Sequence, residues 1–213
     1  MTWSRDIEAA LRHPGWPTVL GPVVTGAGEM LVRPLRRRDG PAWRRLRIAD
    51  ERLIARWDAT SPVTWADRHS RASWQHHRRA LAKASGRGEA AAFGIEVAGQ
   101  FAGQITLGGI QRGAVCSCWV GYWVSSTVHR RGVATAAVRL VVEHALGAMG
   151  LHRVEATISP ENAASLGVIH RLGFREEGLL RRYLDVGGGW RDHLLFAVTV
   201  EDLAGGRLPG RAG

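Results

Sequence analysis

Residues Val128 to Thr135 read VHRRGVAT, and they sit where an apolar strand passes into a helix. The preceding run, Trp119 to Val124 (WVGYWV), is typical of a buried strand, and the following residues repeat apolar side chains at helical spacing. Free backbone N–H groups at a helix N-terminus carry partial positive charge, Gly132 lets the backbone approach a ligand, and arginine adds bidentate charge. The stretch therefore predicts a site for an anionic ligand with at least one phosphate, and a merely solvated basic turn is the alternative.

Composition limits the number of domains and the kinds of partner. With 213 residues, 45% of them hydrophobic, the chain is long enough for one well-buried domain and short for two. The formal net charge is +10, from 29 basic and 19 acidic residues, and Lys83 is the only lysine. Because arginine favours phosphate, carboxylate and nucleic-acid contacts, an acidic or RNA partner would explain this charge. The base composition of the genome would explain it equally well.

The cysteines and the chain start bear on location. Cys116 and Cys118 are two apart on a predicted strand, so they point to the same face and are poorly placed to bond each other. We expect reduced, structural thiols and no metal site, as in a reducing cytosol. The first residues lack an apolar run long enough for a signal peptide, and no window reaches membrane-spanning length. We therefore expect a cytoplasmic protein with no membrane contact.

The periodic patterns divide the chain into three segments. Residues 1–28 hold a short helical pattern, Ser4 to His13, and a Pro- and Gly-rich stretch, which predict an arm packed on the domain. Residues 29–203 form the predicted domain, and residues 204–213 are expected to be disordered.

The first half of the domain predicts helices followed by an antiparallel sheet. The predicted elements are a strand at Met30 to Pro34, a helix capped by Asp39, an arginine-rich helix at Trp65 to Ala84, a hairpin of Ala91 to Val97 with Phe101 to Ile110, and a strand at Cys116 to Val124.

The second half predicts a crossover. A helix from Thr135 to Met149, with Gly150 as its terminating glycine, leads to a strand at His152 to Ser159. Because a helical crossover joins parallel strands, this strand should run parallel to Trp119 to Val124. A helix at Ala163 to Leu172 and strands near Phe174 to Gly178 and His193 to Val200 follow.

These elements and their residues resemble a known family. A strand ending GYWV, the turn RRGVAT with its helix, the strand RVEATI and the segment PENAASLGVIHRLGF occur in the order typical of the acetyl-CoA-dependent N-acetyltransferase superfamily, GNAT. The chain is most similar to the Rim-type group, which acetylates N-termini of ribosomal proteins, over about Leu31 to Val200. The resemblance implies an α/β (α+β) fold with a mixed, mostly antiparallel sheet of about seven strands, a splayed parallel pair and flanking helices.

The resemblance also implies the coenzyme site. In the phosphate signature, Gly132 and Ala134 fill the two small positions, whereas His129 stands where the family has Gln or Arg. Backbone groups of Trp123 to Ser125 would face the pantetheine arm, which Asn162 would also contact. The implied acetyl-CoA-binding residues are Trp123, Val124, Ser125, Arg130, Arg131, Gly132, Val133, Ala134, Thr135, Asn162 and Ser165.

Two side chains are candidates for proton transfer. Many relatives place a tyrosine seven residues after the asparagine to protonate the leaving thiolate, but that position is Ile169 here, so the resemblance assigns the role to Ser165. Glu155, the acidic residue of the strand beside the thioester, is the candidate base, directly or through water. Alternatively, Ser165 is only a helix-end hydroxyl and Glu155 only an ion-pair partner.

The acceptor is the least determined part of the prediction. Trp57 and Asp58 could receive a cationic amine, and Tyr183 and His193 lie on strands near which relatives bind the acceptor. The favoured acceptor is the α-amine of a ribosomal protein, on or off the ribosome. A small amine or antibiotic is the alternative within the enzyme class, and an RNA-binding ribosome assembly factor with a retained coenzyme pocket is the alternative outside it. Monomer and homodimer are both compatible with the sequence.

Overall fold

The computed structural model describes residues 13–209, so the helix expected from Ser4 lies almost wholly outside the described residues. One sheet of eight strands runs in the order β1-β2-β3-β4-β5-β6-β8-β7. The strands are β1 (Leu20–Thr25), β2 (Gly28–Pro34), β3 (Ala90–Val97), β4 (Gln100–Gln111), β5 (Ser117–Val124), β6 (Arg153–Ile158), β7 (Arg175–Val186) and β8 (Gly189–Thr199). The helices are α1 (Gly40–Ala49), α2 (Glu51–Ile54), α3 (Trp65–Arg68), α4 (Arg71–Gly86), α5 (Val133–Leu146) and α6 (Ala163–Arg171).

The only parallel neighbours in this sheet are β5 and β6, as the sequence predicts. They pair at three positions, from Ser117 opposite Arg153 to Trp119 opposite Glu155, and the pairing then stops. Beyond that point the two strands border an opening in the sheet. The mixed, mostly antiparallel fold with one splayed pair is therefore confirmed, with eight strands in place of about seven.

The two faces of the sheet carry different helices. Helices α5 and α6 pack on one face over the main core, whereas α1 and α4 cover part of the other face around Trp43 and Trp74. Because side chains alternate along a strand, Val154, Ala156 and Ile158 point into the main core. Glu155 and its odd-numbered neighbours on β6 therefore project from the face of α1.

The segment expected as an arm contributes a strand to the sheet. Residues Leu20–Thr25 form β1, which pairs with β2 at the sheet edge. Gly21 and Pro22 favour a loop in the sequence. Proline is nevertheless tolerated on an edge strand, because the outer side of that strand forms no inter-strand hydrogen bonds that need its N–H.

The end of the chain also departs from the prediction of disorder after Leu203. Leu208 is 3% exposed and joins the main core. Its carbonyl oxygen accepts a hydrogen bond from Arg139 Nη1 at 2.6 Å, and its N–H donates to Glu143 Oε1 at 3.0 Å. Residues 204–209 are thus fixed on α5 by one apolar anchor within a Gly- and Pro-rich stretch, and residues 210–213 lie outside the described part.

Polar side chains at the helix ends set several helix boundaries that the apolar periodicity of the sequence did not predict. The predicted helix from Trp65 is divided into α3 and α4 because the Ser70 hydroxyl accepts from the Ser73 N–H and starts a new helix. Asp39 precedes α1 but does not cap it, since its carboxylate is bound by Arg33 and by the Arg36 N–H. The last hairpin, β7–β8, is much longer than predicted. The residues that the sequence analysis missed, 179–186 and 189–192, are mostly exposed or half-exposed, so they lack the apolar pattern of a buried strand.

A buried arginine joins α1 to α3. The Arg47 guanidinium lies over the rings of Trp65 and Trp123, at 4.9 Å and 5.2 Å from their centroids. It donates from Nε to His69 Nε2 at 3.0 Å and forms an ion pair with Asp58. His69 Nδ1 in turn donates to the Trp65 carbonyl oxygen at 2.8 Å, so both ring nitrogens are used by the neutral tautomer. Burial lowers the pKa of His69 to about 4.

Replacing Leu208 by alanine should lower the free energy of unfolding by about 2 to 3 kcal/mol, since it removes a fully buried leucine. Leu53→Ala is the matched control because that leucine is half exposed, and it should change stability by less than about 0.5 kcal/mol. Urea denaturation measures both. Equal stability of the two variants would mean that residues 204–209 do not anchor the domain.

Stability should also fall on acidification between the pKa values of His69 in the unfolded and folded states, about 6.5 and about 4. Because burial keeps His69 neutral in the folded state, its contribution to the free energy of unfolding is complete above pH 6.5. That contribution, up to about 3 kcal/mol, is lost as the pH drops toward 4. Burial lowers the pKa of His13 and His77 as well, so wild type must be compared with His69→Gln. Urea unfolding at pH 7 and pH 4.5 should show a shallower pH dependence in the variant, and parallel curves would contradict the assignment.

Candidate active site

The turn at the mouth of the β5–β6 opening is built to receive an anion. Arg130 and Gly132 both adopt left-handed backbone conformations, with φ of 56° and 78°, immediately before α5. Such a turn directs successive N–H groups toward one point, and the first N–H groups of a helix have no intrahelical acceptors. A side chain at Gly132 would meet nothing within 4 Å, so the glycine provides the conformation and leaves the approach open. Arg130 and Arg131 are exposed beside it.

This turn is held from two sides. The Gly26 N–H, in the β1–β2 turn, donates to the Arg131 carbonyl oxygen at 3.0 Å. On the other side, the buried Asp50 carboxylate accepts from Ser126 N–H at 2.9 Å and from its hydroxyl at 2.5 Å. The sequence analysis missed Gly26 and Asp50, because neither belongs to a motif. Both contact the turn only once the chain has folded and brought distant segments together.

The backbone at the end of β5 is less free than expected. Ser125 N–H donates to the Ala102 carbonyl oxygen at 2.7 Å, and the Ser125 hydroxyl accepts from Thr127, so Ser125 is committed to the protein. Strand alternation then directs the Val124 amide and carbonyl into the opening. His129, the residue that departs from the family signature, donates from Nε2 to the Val124 carbonyl oxygen at 3.0 Å.

The turn between β6 and α6 supplies the opposite edge of the opening. Asn162 caps α6 by accepting from Ser165 N–H at 3.1 Å. The half-buried Ser165 hydroxyl takes no part in this cap and is available for another partner. Tyr122, on β5, reaches across the opening and its hydroxyl lies 3.5 Å from the Ser165 carbonyl oxygen. Burial raises the pKa of Tyr122 to about 12, so its hydroxyl stays protonated. The sequence analysis placed Tyr122 in a buried strand and gave it no role. A phenol hydroxyl in an otherwise apolar strand is a signal that could have marked it as a site residue.

Glu155 lies at the closed end of the opening. It occupies the last position at which β5 and β6 pair, and Arg153 Nε donates to its carboxylate at 2.7 Å. Arg153 also holds Glu177, whose pKa this contact lowers to about 2. The ion pair is the structural alternative that the sequence left open. Ile158, at the end of β6 that leads to Asn162 and α6, is three residues beyond Glu155, a rise of about 10 Å.

Asp58 is an ion-pair partner on the acceptor side. It is bound by Arg47 and lies 3.3 Å from Arg68, so two cations already neutralise the carboxylate that was expected to receive an amine. Asp58, Trp65 and Arg68 line an open cavity of about 310 Å³ together with Gly187 and Gly188 of the β7–β8 turn. Trp57 stacks under Arg56 at 4.4 Å.

Hydrogen bonds join this acceptor-side segment to the β7–β8 hairpin. Thr60 N–H donates to the Asp185 carbonyl oxygen at 2.8 Å, and the Thr60 hydroxyl accepts from Gly188 N–H at 2.9 Å. Arg56 approaches Glu161 at 3.8 Å, one residue before Asn162. The segment that bears Trp57 and Asp58 is therefore linked, through Arg56, to the turn that leads to α6.

Tyr183 and His193 are brought together, as neighbours on β7 and β8. Their rings meet edge to face at 5.9 Å, with Tyr183 partly exposed and His193 buried.

Neither cysteine is bonded, and burial raises the pKa of Cys118 to about 12. Within residues 13–209, no group of three or more His, Cys, Asp or Glu side chains is arranged to hold a metal. Among the same residues, no helix combines the length and apolar character needed to cross a bilayer.

The turn therefore lies at the mouth of a slot between β5 and β6, and Arg47 connects β5, through Trp123, to the cavity, through Asp58. The family described as acetyltransferase (GNAT) domain matches residues 29–175. A structure named Mycobacterium smegmatis RimJ in complex with CoA-disulfide is 46% identical, has a TM-score of 0.88, and aligns over 90% of this chain and 91% of that one.

Curated sequences extend the comparison. A probable N-acetyltransferase of Bacillus subtilis is 37% identical over 112 residues, 52% of this chain and 62% of the relative. The [ribosomal protein uS5]-alanine N-acetyltransferase of Escherichia coli is 31% identical over 105 residues, 49% of this chain and 54% of the relative. The matched region thus spans between half and two thirds of these relatives. With the family match over most of its length and the fold in agreement, the chain belongs to the GNAT acetyltransferase family.

Proposed function

We propose that this protein transfers the acetyl group of acetyl-CoA to the α-amine of a protein, with ribosomal proteins as the first candidates. The observation that carries the proposal is the anion-binding turn at the mouth of a slot between two parallel strands. Support comes from the relatives: the RimJ structure is named as a CoA complex, and the E. coli relative is named for the alanine of ribosomal protein uS5.

The coenzyme would lie with its phosphates at the turn and its pantetheine arm in the slot. Arg130, Arg131 and the amides of Gly132, Val133, Ala134 and Thr135 would hold the pyrophosphate. An amide N–H of the pantetheine arm would take the place of His129 at the Val124 carbonyl oxygen, and Asn162 would lie beside the arm.

The reaction would be direct attack of the amine nitrogen on the thioester carbonyl carbon. The N–C bond forms, the C–S bond breaks, and the thiolate receives a proton, for which the Ser165 hydroxyl is the candidate. An α-amine, with a pKa of roughly 7.7 to 8.0, is about one tenth neutral at pH 7, whereas a lysine at about 10.4 is neutral in well under one part in a thousand. An N-terminal acceptor therefore needs less help from a base. Glu155 could accept the amine proton directly or through water, although Arg153 already engages one of its carboxylate oxygens.

Acetylation of N-terminal peptides should reveal the activity. We expect thiol release and a mass gain of one acetyl group when the protein and acetyl-CoA are incubated with ribosomal proteins or N-terminal peptides. Peptides blocked at the α-amine but carrying a lysine should give at least about 100-fold less product at pH 7, because so little of the lysine is neutral. Turnover of small amines alone would show that the acceptor is a small amine and not a protein. No turnover with any amine would refute the enzyme proposal.

Gly132→Glu should abolish acetyl-CoA binding, because it puts a negative charge against the phosphates. Gly113→Glu is the matched control, since Gly113 has a similar φ of 85° and equally open space for a side chain but lies in the β4–β5 turn. Both variants should lose similar stability from backbone strain. Calorimetry with acetyl-CoA should show binding for the control alone, and equal affinity of both variants would contradict the phosphate-binding turn.

A further inference from the structure

A bulge interrupts β7 just after the residue that pairs with His193 of β8. The register between β7 and β8 shifts between Leu180 and Leu184, and within the bulge Arg182 has a φ of 48°. Asp192 Oδ1 fixes this conformation by accepting from Arg182 N–H at 2.7 Å. Bulges redirect side chains and are common beside active sites. Here the bulge brings Tyr183 against His193.

The tautomer of His193 is set by the backbone. Its Nδ1 lies 3.2 Å from the Arg191 carbonyl oxygen, which only accepts, so Nδ1 carries the hydrogen and Nε2 keeps its lone pair. The residue is only 5% exposed. Among residues 13–209, no hydrogen-bond partner is found for Nε2 of His193. His193 thus presents an available basic nitrogen on a rigid, oriented ring.

The register of β8 puts His193 beside the expected thioester. Its neighbour Leu194 pairs with Ile158 at the end of β6, where the chain turns toward Asn162 and Ser165. His193 is thus one strand spacing, about 5 Å, from the end of β6, on the side away from β5, whereas Glu155 lies about 10 Å back along β6.

His193 and Ser165 approach this point from opposite faces. Leu194, Phe196 and Val198 pack into the main core below α5 and α6, so His193 projects from the face of α1, the side of the acceptor cavity. Ser165 belongs to α6 on the core side. A thioester between them would have a base on the amine side and a hydroxyl on the sulfur side.

We propose that His193 is the general base of the reaction, an inference that rests on the proposed function. Nε2 takes one proton from the attacking nitrogen as the N–C bond forms, and the electron pair of the broken C–S bond stays on sulfur, which takes a proton from Ser165 or solvent. The resulting imidazolium keeps its Nδ1 hydrogen bond to Arg191 and returns its extra proton to water. Glu155 then serves as the ion-pair partner of Arg153 at the closed end.

The test measures steady-state rates of His193→Ala with the best acceptor found for wild type. We expect kcat to fall by about 100-fold or more, as for loss of a general base, with the KM for acetyl-CoA within about twofold and partial recovery of kcat on adding imidazole. His152→Ala is the matched control: that histidine is exposed, bonded to Glu201, and on the far side of the β5–β6 pairing, so its kcat should equal that of wild type.

Two outcomes would overturn the inference, and both are read in a folded variant. If His193→Ala does not fold, judged by acetyl-CoA binding, His193→Gln replaces it, because glutamine keeps the volume and hydrogen bonding without a basic nitrogen. A kcat within about threefold of wild type in the folded variant overturns the proposal, as does a large loss in Glu155→Gln with none in the His193 variant. Wild-type turnover is read separately, so failure of the proposed function remains distinguishable from failure of the base assignment.

Discussion

The early end of pairing between β5 and β6 is the constraint on which the site depends. The strands share three paired positions, although β5 is eight residues long and β6 six. Beyond Trp119, their facing backbone groups need other partners, because unpaired buried amides and carbonyls are costly. His129 supplies one partner by donating to Val124. The remaining edge suits an extended ligand that itself alternates donors and acceptors, which is the chemistry of the pantetheine arm.

The two sides of the opening are mechanically joined. Asp50, between α1 and α2, holds Ser126 just before the anion-binding turn, and Gly26 holds the turn itself from β1. Arg47 extends the connection, because its guanidinium contacts Trp123 on β5 and Trp65 on α3. The elements on the two sides of the opening are therefore joined by buried polar contacts.

Sequence alone predicted the parts of this molecule that rest on local pattern. Apolar periodicity predicted the β3–β4 hairpin, the α5 crossover and its parallel strands, and the structure places the VHRRGVAT turn at the start of α5 as expected. The anion site at that turn stays a prediction. Sequence alone missed what single side chains decide over long distances: Leu208 anchoring a Gly- and Pro-rich end, and the bulge that lengthens β7 around Arg182. For the same reason the sequence named Glu155, Asp58 and His193 as candidates without distinguishing them. In the structure each of the two carboxylates forms an ion pair with arginine, whereas His193 uses only Nδ1, toward the Arg191 carbonyl oxygen.

The charges that surround the acceptor cavity bear on the kind of amine that can react there. Asp58, which lines the cavity, is paired with both Arg47 and Arg68, and burial lowers the pKa of His69, so this carboxylate is not free to attract an ammonium group. A cationic amine entering beside two guanidinium groups would be disfavoured, whereas its neutral form would not be. This environment shifts the amine toward the form that attacks a thioester. It does so at small cost for an α-amine, which is already partly neutral at pH 7, and at a cost of more than about 4 kcal/mol for a lysine. On the proposed function, the arginines around Asp58 thus act with the base to favour an N-terminus over a side-chain amine.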